Sequence, residues 1–572
     1  MLDLIIVLSY FTIIFLAALS GRSGKEVSIE SYFLSNRNLK WPSIALSTIA
    51  TNINGYQFLG MMGSAYLYGL AQASLEINAI QGILFAAFIF VPMYLRDGVI
   101  TITQFIKKRL GERVGLAYTI ANIALFSTIT LGAALFWGAY AADLVFEEYL
   151  SFIHPNRIMR IAILIVGLGI FSATYTYLGG LAAVVKTDII QFVILLTGGF
   201  VVLFVAINEL GGWNQLYVKT PELMHLHLPA DHEKLPWIHI FGLFLLNINY
   251  WCANQTVMQR SLAAKNLKEA QIGLMVGGLM KYVMAVLIVI PGIALVGILG
   301  QNGLAEPDLA FPYLVKTYLP VGLKGIILCA LFASLMSTVD STFNSLATLF
   351  SIDIYKTYLK KDATDQQVVQ AGRNTILVSL ITGTLMGLVL LYVKFENPEA
   401  AFTHTLNELR YYINCGIVVL ICSAAFLIAP NHRWALIAFI STIPLHLIII
   451  RLFPDMNYFV RAMWVILVAF VILNIASWQG GLERLKQLFT GKSRLYLILL
   501  GLTFLGFAVH VTLFPNMIPF VKLMWGVLII LEILSFGGWK SWKDLIVTPS
   551  PSIRQVGLGL LISLVVLHIV FH

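Results

Sequence analysis

Apolar segments long enough to cross a bilayer follow one another along almost the whole chain, and short polar connections separate them. A membrane-spanning helix needs about 20 predominantly apolar residues. Sixteen segments meet this requirement, near residues 2–20, 41–69, 75–95, 115–146, 160–178, 187–208, 236–258, 270–299, 321–350, 374–394, 409–429, 432–452, 459–477, 494–513, 516–536 and 555–571. The pattern predicts an all-α polytopic membrane protein with about 14–16 spans.

Two of these segments carry polar residues at their centre. The first interruption runs from Asn52 to Gln57, and the second runs from Asn247 to Gln255. Unpaired polar groups in hydrocarbon cost several kcal/mol each, so a helix broken at membrane depth is tolerated only where it lines a protein cavity. Interrupted spans at corresponding places in two halves of a chain are typical of a transporter's binding site.

Composition supports the membrane assignment. The 572 residues are 59% hydrophobic and 11% charged, whereas soluble domains carry about 25% charged residues. The net charge of +9 is best explained by loops that set topology, since no basic stripe on a soluble face suggests nucleic-acid binding. All four cysteines fall inside predicted spans, which argues against a disulfide framework.

The distribution of Lys and Arg predicts the orientation. If the N-terminus lies outside, 25 of the 37 basic residues fall in inside loops, including Lys186 and Arg260. An even number of spans then places both termini outside. We expect a multi-pass protein of the plasma membrane, which is the inner membrane in a bacterium. The first segment lacks early basic residues and is predicted to be an anchor helix rather than a cleaved signal.

Five ionisable residues lie within or at the ends of predicted spans: Glu76, Asp188, Lys281, Asp340 and Glu408. Such residues are costly in a membrane and are functional candidates by default. For Glu76, Asp188 and Glu408 the alternative is an interfacial position with the charge reaching water. For Lys281 and Asp340 the alternative is a structural ion pair or a hydrogen-bonded core residue.

The ninth segment is rich in oxygen ligands. Its hydroxyl residues Ser334, Ser337, Thr338 and Ser341 share one helix face, and Asp340 borders that face. Hydroxyl, carboxylate and carbonyl oxygens are the ligands that hard cations take. Helix packing by small residues is the alternative, although packing does not require Asp340.

Several motifs occur in order and at matching spacing, and together they resemble the sodium/solute symporter family, most closely its sodium–sugar cotransporters. The resemblance covers about Ser31 to Ala429. Its landmarks are Tyr32 to Arg37, Asn52 to Gly60, Tyr177 to Asp188, Gln259 to Lys265 and Phe343 to Tyr355.

The resemblance implies a LeuT-type five-plus-five inverted repeat with an extra N-terminal helix and additional C-terminal helices. The whole chain, 1–572, would then be a single membrane transport domain. Its parts would be an extra N-terminal span at 2–20, a first repeat at 41–208, a second repeat at 236–429 and peripheral spans at 430–572.

The resemblance also implies a substrate site made of amides, one carboxylate, one ammonium group and aromatic rings. The matching residues are Asn52, Gln57, Glu76, Asn247, Tyr250, Trp251, Lys281 and Asn407. Ala79, Leu75, Tyr412 and Cys415 depart from the sugar-cotransporter pattern. These departures leave the identity of the substrate open.

Sodium ligands follow from the same resemblance. The main site would use the carbonyl groups of Ala50, Ile53 and Ser334 with the hydroxyl groups of Ser337 and Thr338. A second sodium would use Asp188, Ser337, Asp340 and Ser341. The alternative for Asp340 is hydrogen bonding to the neighbouring hydroxyl groups.

The function expected from these residues and motifs is sodium-coupled symport of a sugar or polyol by alternating access, with sodium as the co-transported ion. A symporter of sialic acid, an amino acid or another organic acid on the same fold is the first alternative. A carboxylate would favour an Arg in the site, and Arg410 is expected at the outer edge of its span, so we favour a neutral substrate. A non-transporting membrane sensor is the second alternative. We expect no catalytic residues and no enzyme activity, and the oligomeric state stays open.

Overall fold

The computed structural model describes residues 2–20, 28–53, 55, 57–229, 232–396, 402–478, 494–513, 519–535, 539–540, 545, 547 and 550–572. Within these ranges the chain is almost entirely helical and forms no β-sheet. The α-helices are α1 Leu2–Ser20, α2 Ile29–Leu34, α3 Trp41–Asn52, α4 Met62–Tyr68, α5 Ser74–Ile77, α6 Ala79–Phe85, α7 Val91–Asp97, α8 Ile102–Leu110, α9 Glu112–Leu125, α10 Leu131–Leu150, α11 Arg157–Leu210, α12 Trp213–Lys219, α13 His239–Ile248, α14 Gln255–Leu262, α15 Leu267–Leu299, α16 Ala310–Tyr318, α17 Leu323–Thr348, α18 Asp365–Glu396, α19 Phe402–Phe426, α20 His432–Leu452, α21 Tyr458–Ser477, α22 Arg494–Leu513, α23 Pro519–Ser535 and α24 Pro551–Val570.

Among the described residues, 11 helical runs are long and apolar enough to cross a membrane. Two shorter apolar stretches, Leu500–Val509 and Trp525–Ser535, lie in α22 and α23. Every one of the predicted segments falls on one or more of these helices. The run count is lower than the sixteen predicted segments partly because helical turns join neighbouring segments into one run.

One predicted connection is wrong. Residues between the segments 160–178 and 187–208 are helical, and both segments belong to the 54-residue helix α11. A straight helix of that length would measure about 80 Å, well over the roughly 30 Å of a bilayer core. The division comes instead from a kink at Gly180, where φ is 56° and ψ is −148°. Lys186 therefore lies on α11 rather than in a loop, and its Nζ donates to the Ser20 carbonyl oxygen at 2.7 Å.

Gly180 is required at the kink for two reasons. Its positive φ is a conformation that residues with a Cβ rarely adopt, and a Cβ would lie 2.4 Å from the Tyr32 carbonyl oxygen. The hydroxyl group of Tyr32 in turn donates to the Tyr177 carbonyl oxygen at 3.0 Å. Two of the sequence motifs thus meet at this bend.

Both predicted interruptions are confirmed. Helix α3 ends at Asn52, and Ile53 is extended with φ −91° and ψ 120°. Of the described residues that follow, Gly55 is helical and Gln57–Met61 form a π-helical turn. Helix α13 and a following π-helical turn end at Asn254, which is extended with φ −85° and ψ 116°. Its side chain accepts a hydrogen bond from the Thr256 backbone N–H at 2.9 Å and so caps α14.

The interrupted helices are enclosed by the long helices of the bundle. Helix α3 packs against α11, α15 and α17, and α11 and α17 share an extensive interface. On one side of the bundle, Leu39 just before α3 exchanges backbone hydrogen bonds with Ala263 and Lys265 just after α14, at 3.1 and 3.0 Å. These bonds link the two interrupted spans directly at that end.

Candidate functional site

A cavity of about 260 Å³ lies between the two interrupted regions. Six of the eight residues predicted for the substrate site line it: Asn52, Glu76, Asn247, Tyr250, Trp251 and Lys281. They come from α3, α5, α13, the π-helical turn after α13, and α15. The fold thus gathers residues from both halves of the chain around one space.

Glu76 and Lys281 form a buried ion pair at this cavity. The Lys281 Nζ donates to the Glu76 carboxylate and to the Asn52 side-chain oxygen. The Lys281 and Glu76 side chains are 2% and 6% exposed, and the ammonium group lies 5.9 Å from the centroid of the Trp251 ring. Charges at such depth must be paired to be tolerated, so each of these two groups neutralises the other.

Asn247 is held by a close approach of two helices. Its Nδ2 donates to the Asn78 carbonyl oxygen at 3.1 Å. Gly82 on α6 makes the approach feasible, because a Cβ there would lie 2.7 Å from the Asn247 carbonyl oxygen. Asn78 was not singled out from the sequence, since a backbone acceptor leaves no signal in the residue type.

Two other predicted substrate residues are placed differently. Gln57 is buried, is not one of the residues that line the cavity, and donates from Nε2 to the Asn52 carbonyl oxygen at 3.0 Å. The side chain of Asn407 lies outside the described residues. Its neighbour Glu408 forms an ion pair with Arg461 at 2.7 Å and does not line the cavity.

The cavity also contains polar residues that the sequence pattern did not assign to it. Asn122, Thr130, Asn249, Asn254, Arg410 and Asn414 contribute to its lining. Arg410, which was expected at the outer edge of its span and was not assigned to the substrate site, is therefore part of the cavity lining. The sequence shows these residues as polar positions in otherwise apolar segments. Their polarity alone does not reveal which of them line the same cavity.

The region predicted for the main sodium site joins α3 to α17. The hydroxyl group of Thr338 donates to the carbonyl oxygens of Thr51 at 3.3 Å and Ser334 at 3.2 Å. The Thr51 and Ser341 hydroxyl oxygens are 2.9 Å apart. The neighbouring predicted ligands Ala50, Ile53, Ser334 and Ser337 are all buried. Several oxygen atoms from the broken end of α3 and from α17 therefore lie close together.

Asp188 connects this region to α11. Its carboxylate accepts hydrogen bonds from the hydroxyl groups of Ser47 and Ser337, each at 2.5 Å, and pairs with Arg260 at 3.0 Å. The Arg260 guanidinium also donates to the Ser341 hydroxyl group. Arg260 was expected in an inside loop, and this expectation is wrong because the residue lies on α14 and is fully buried.

The four residues predicted for a second sodium are not joined into one hydrogen-bonded cluster. Asp340 is buried and accepts a hydrogen bond from the Tyr175 hydroxyl group, while its Oδ1 has no hydrogen-bond partner among the described residues. Asp188, by contrast, is held by Arg260. Arg260 therefore interacts with two of the predicted second-site ligands, Asp188 and Ser341.

The protein is a multi-pass membrane transporter. This class is indicated by the two interrupted helices, which enclose a polar cavity within a bundle of long apolar helices. A solved sodium-coupled sialic acid symporter has the same fold, with a TM-score of 0.71 at 17% sequence identity, covering 83% of this chain and 97% of that one. The predicted LeuT-type architecture is thus confirmed.

The particular family follows from sequence. The model of the sodium:solute symporter family matches residues 32–440, and the chain belongs to that family. A sodium/glucose cotransporter from Vibrio parahaemolyticus is 30% identical over 483 residues, which are 80% of this chain and 86% of that protein. Sodium/glucose cotransporter 1 from Ovis aries is 31% identical over 417 residues, covering 66% of this chain and 61% of that protein. The protein is a sodium-coupled solute transporter and not an enzyme.

Proposed function

We propose that the protein imports a sugar or polyol by sodium-coupled symport through alternating access. The observation that carries this proposal is the convergence of Asn52, Glu76, Asn247 and Lys281 on one cavity between the interrupted helices. The similarity to sodium/glucose cotransporters supports the same substrate class.

The chemistry of the cavity suits hydroxyl groups. A hydroxyl group both donates and accepts hydrogen bonds, and the Glu76 carboxylate accepts, the Lys281 ammonium donates, and the Asn247 amide does both. Tyr250 and Trp251 add aromatic surface for the C–H faces of a sugar ring. A buried site that pairs hydroxyl groups rejects analogues lacking them, because its own polar groups would then stay unpaired.

A sodium site with ligands from both α3 and α17 would explain the coupling. We propose that sodium binds the carbonyl oxygens of Ala50, Ile53 and Ser334 and the hydroxyl groups of Ser337 and Thr338. Sodium would then hold the broken end of α3 against α17 and favour the conformation that binds substrate from outside. One charge moving through 100 mV supplies about 2.3 kcal/mol, which corresponds to a roughly fifty-fold bias in substrate concentration.

A second sodium at Asp188, Ser337, Asp340 and Ser341 stays a prediction. Arg260 pairs with Asp188 and donates to Ser341, so an ion bound there would compete with the guanidinium for both oxygens. The sodium-to-substrate ratio decides this point, since one sodium per substrate is sufficient for the main site alone.

We also propose a plasma-membrane location with both termini outside, on the basis of the Lys and Arg distribution. Single-cysteine variants labelled by an impermeant thiol reagent in intact cells test this. Labelling at position 2 and at position 572 supports the topology, and labelling only after permeabilisation contradicts it.

Uptake into proteoliposomes tests the function. The purified protein is given an inward sodium gradient and a radiolabelled panel of glucose, galactose, mannose, fructose, myo-inositol, proline and sialic acid. Uptake of a sugar or inositol that stops when potassium replaces sodium supports the proposal. Uptake of proline alone would retain sodium coupling and overturn the substrate class.

A further inference from the structure

Arg410 brings a positive charge to the cavity that no carboxylate of the described residues pairs with. Three charged residues line the cavity, namely Glu76, Lys281 and Arg410. Glu76 and Lys281 pair with each other. None of the ion pairs within the described ranges includes Arg410, and its Nε is buried without a hydrogen-bond partner there.

The acidic residue nearest to Arg410 in sequence does not supply the missing charge. Glu408 is two positions away, but its carboxylate pairs with Arg461 at 2.7 Å. Counted over the part of the chain that the structure describes, the cavity lining therefore carries one net positive charge. Removing a guanidinium group from water without a counter-charge is costly, and a neutral sugar provides no such charge.

The chemistry of the guanidinium group identifies the complementary ligand. Its coplanar N–H donors match the two oxygens of a carboxylate and can form two parallel hydrogen bonds with them. A doubly charged group such as a phosphate monoester fits less well, because the described lining residues carry a single net positive charge.

We infer that the substrate is a sugar acid, a polyhydroxylated monocarboxylate. Its carboxylate binds Arg410, and its hydroxyl groups bind Asn247 and the Glu76–Lys281 pair. This inference rests on the proposed function and refines it, since the ligand keeps the hydroxyl groups of a sugar and gains one negative charge. Arg410 is then the residue that distinguishes an acid from its neutral counterpart.

Matched pairs of neutral sugars and acids test the inference. The pairs are galactose with galacturonate and glucose with glucuronate, and each compound is offered to proteoliposomes under an inward sodium gradient. Because a hydrogen bond to a charged group contributes about 1.5–3 kcal/mol, we expect the acid of at least one pair to reach half-maximal uptake at a roughly ten- to hundred-fold lower concentration.

Variants of Arg410 connect this preference to the residue. Arg410→Gln keeps hydrogen-bonding capacity but removes the charge, and we expect it to lose the preference for the acid. Arg410→Lys should retain part of the preference, since the charge remains without the coplanar N–H donors. Arg433→Gln, at an exposed arginine outside the cavity, is the control and should behave as the unmodified protein.

The outcomes separate this inference from the proposed function. Sodium-dependent uptake of a neutral sugar, with its acid no better and with no effect of Arg410→Gln, would overturn the inference and leave the function intact. Sodium-dependent uptake of no member of either pair, and of no sugar or inositol in the wider panel, would overturn both. Thermal stabilisation of the unmodified protein by each compound gives the same comparison without variants, so a poorly folding variant cannot obscure it.

Discussion

The ion pair between Asp188 and Arg260 offers a quantitative test of the structure. Both side chains are fully buried, and the Asp188 carboxylate lies 3.0 Å from the guanidinium group. The substitution Asp188→Asn preserves shape and removes the negative charge. Arg260 then stays buried with hydroxyl and carbonyl partners but without its counter-charge.

The size of the effect follows from burial. Removing one partner of a buried ion pair costs about 3–5 kcal/mol, because the remaining charge is uncompensated. With an unfolding entropy of roughly 2 cal/mol/K per residue, a chain of 572 residues should melt about 2.5–4 °C lower. The pair Glu30–Arg37 provides the control, since its contact is also 3.0 Å long but its side chains are 58% and 26% exposed.

The assay is thermal unfolding of the purified protein in one detergent, with all variants measured together. We expect Glu30→Gln to lower the melting temperature by less than about 1 °C, since exposed ion pairs contribute little. The double variant Asp188→Asn, Arg260→Met should be more stable than Asp188→Asn alone, because it removes the unpaired charge. Equal shifts for Asp188→Asn and Glu30→Gln would contradict a larger contribution from the buried ion pair.

Four further predictions concern transport and pH. Asn247→Ala should raise the substrate concentration for half-maximal uptake about ten-fold or more, since it removes a polar group from the cavity; an unchanged value argues against the site. Thr338→Ala should raise the sodium concentration for half-maximal uptake, while Ser345→Ala on the same helix should not; equal responses of the two contradict the sodium site. If Asp340 holds a second sodium, Asp340→Ala lowers the sodium-to-substrate flux ratio from two to one, and a ratio of one in the unmodified protein excludes that site. Burial and the nearby His572 hold the pKa of His227 below its ordinary value. As the pH drops through about 6.5, the His227 imidazole is therefore protonated first in the unfolded state, and the stability of the folded protein should fall. His227→Gln should reduce the loss of melting temperature between pH 7.5 and 5.5, and an unaltered pH profile would count against a lowered pKa at His227.

Much of the fold is predictable from local sequence. A bilayer requires each spanning segment to satisfy its own backbone and to be apolar, so the helices reveal themselves one segment at a time. The same rule makes exceptions visible, which is why the interruptions at Asn52 to Gln57 and at Asn247 to Gln255 stand out. The predicted loop before Lys186 was wrong because a single glycine, Gly180, bends the helix without ending it.

The sequence predicted most of the residue types in the candidate site, but it predicted only part of how those residues contact one another. Glu76 and Lys281 stood out because charged residues are rare in spans, and the motifs placed Asn52 and Asn247 beside them. Their pairing became visible only in the structure, since Glu76 and Lys281 are 205 positions apart. Arg260 was misassigned because Lys and Arg near the end of a span usually indicate a loop.

The membrane class, the order of the spans, the two interruptions and the family were predictable from residue type alone, because each of these depends on a continuous stretch of chain. The folded arrangement sets which charges neutralise one another. It pairs Arg260 with Asp188, pairs Lys281 with Glu76, and leaves Arg410 in the cavity without a carboxylate partner among the described residues. Such pairings join distant parts of the chain, and the electrostatic energy of a charge depends on its neighbours in space.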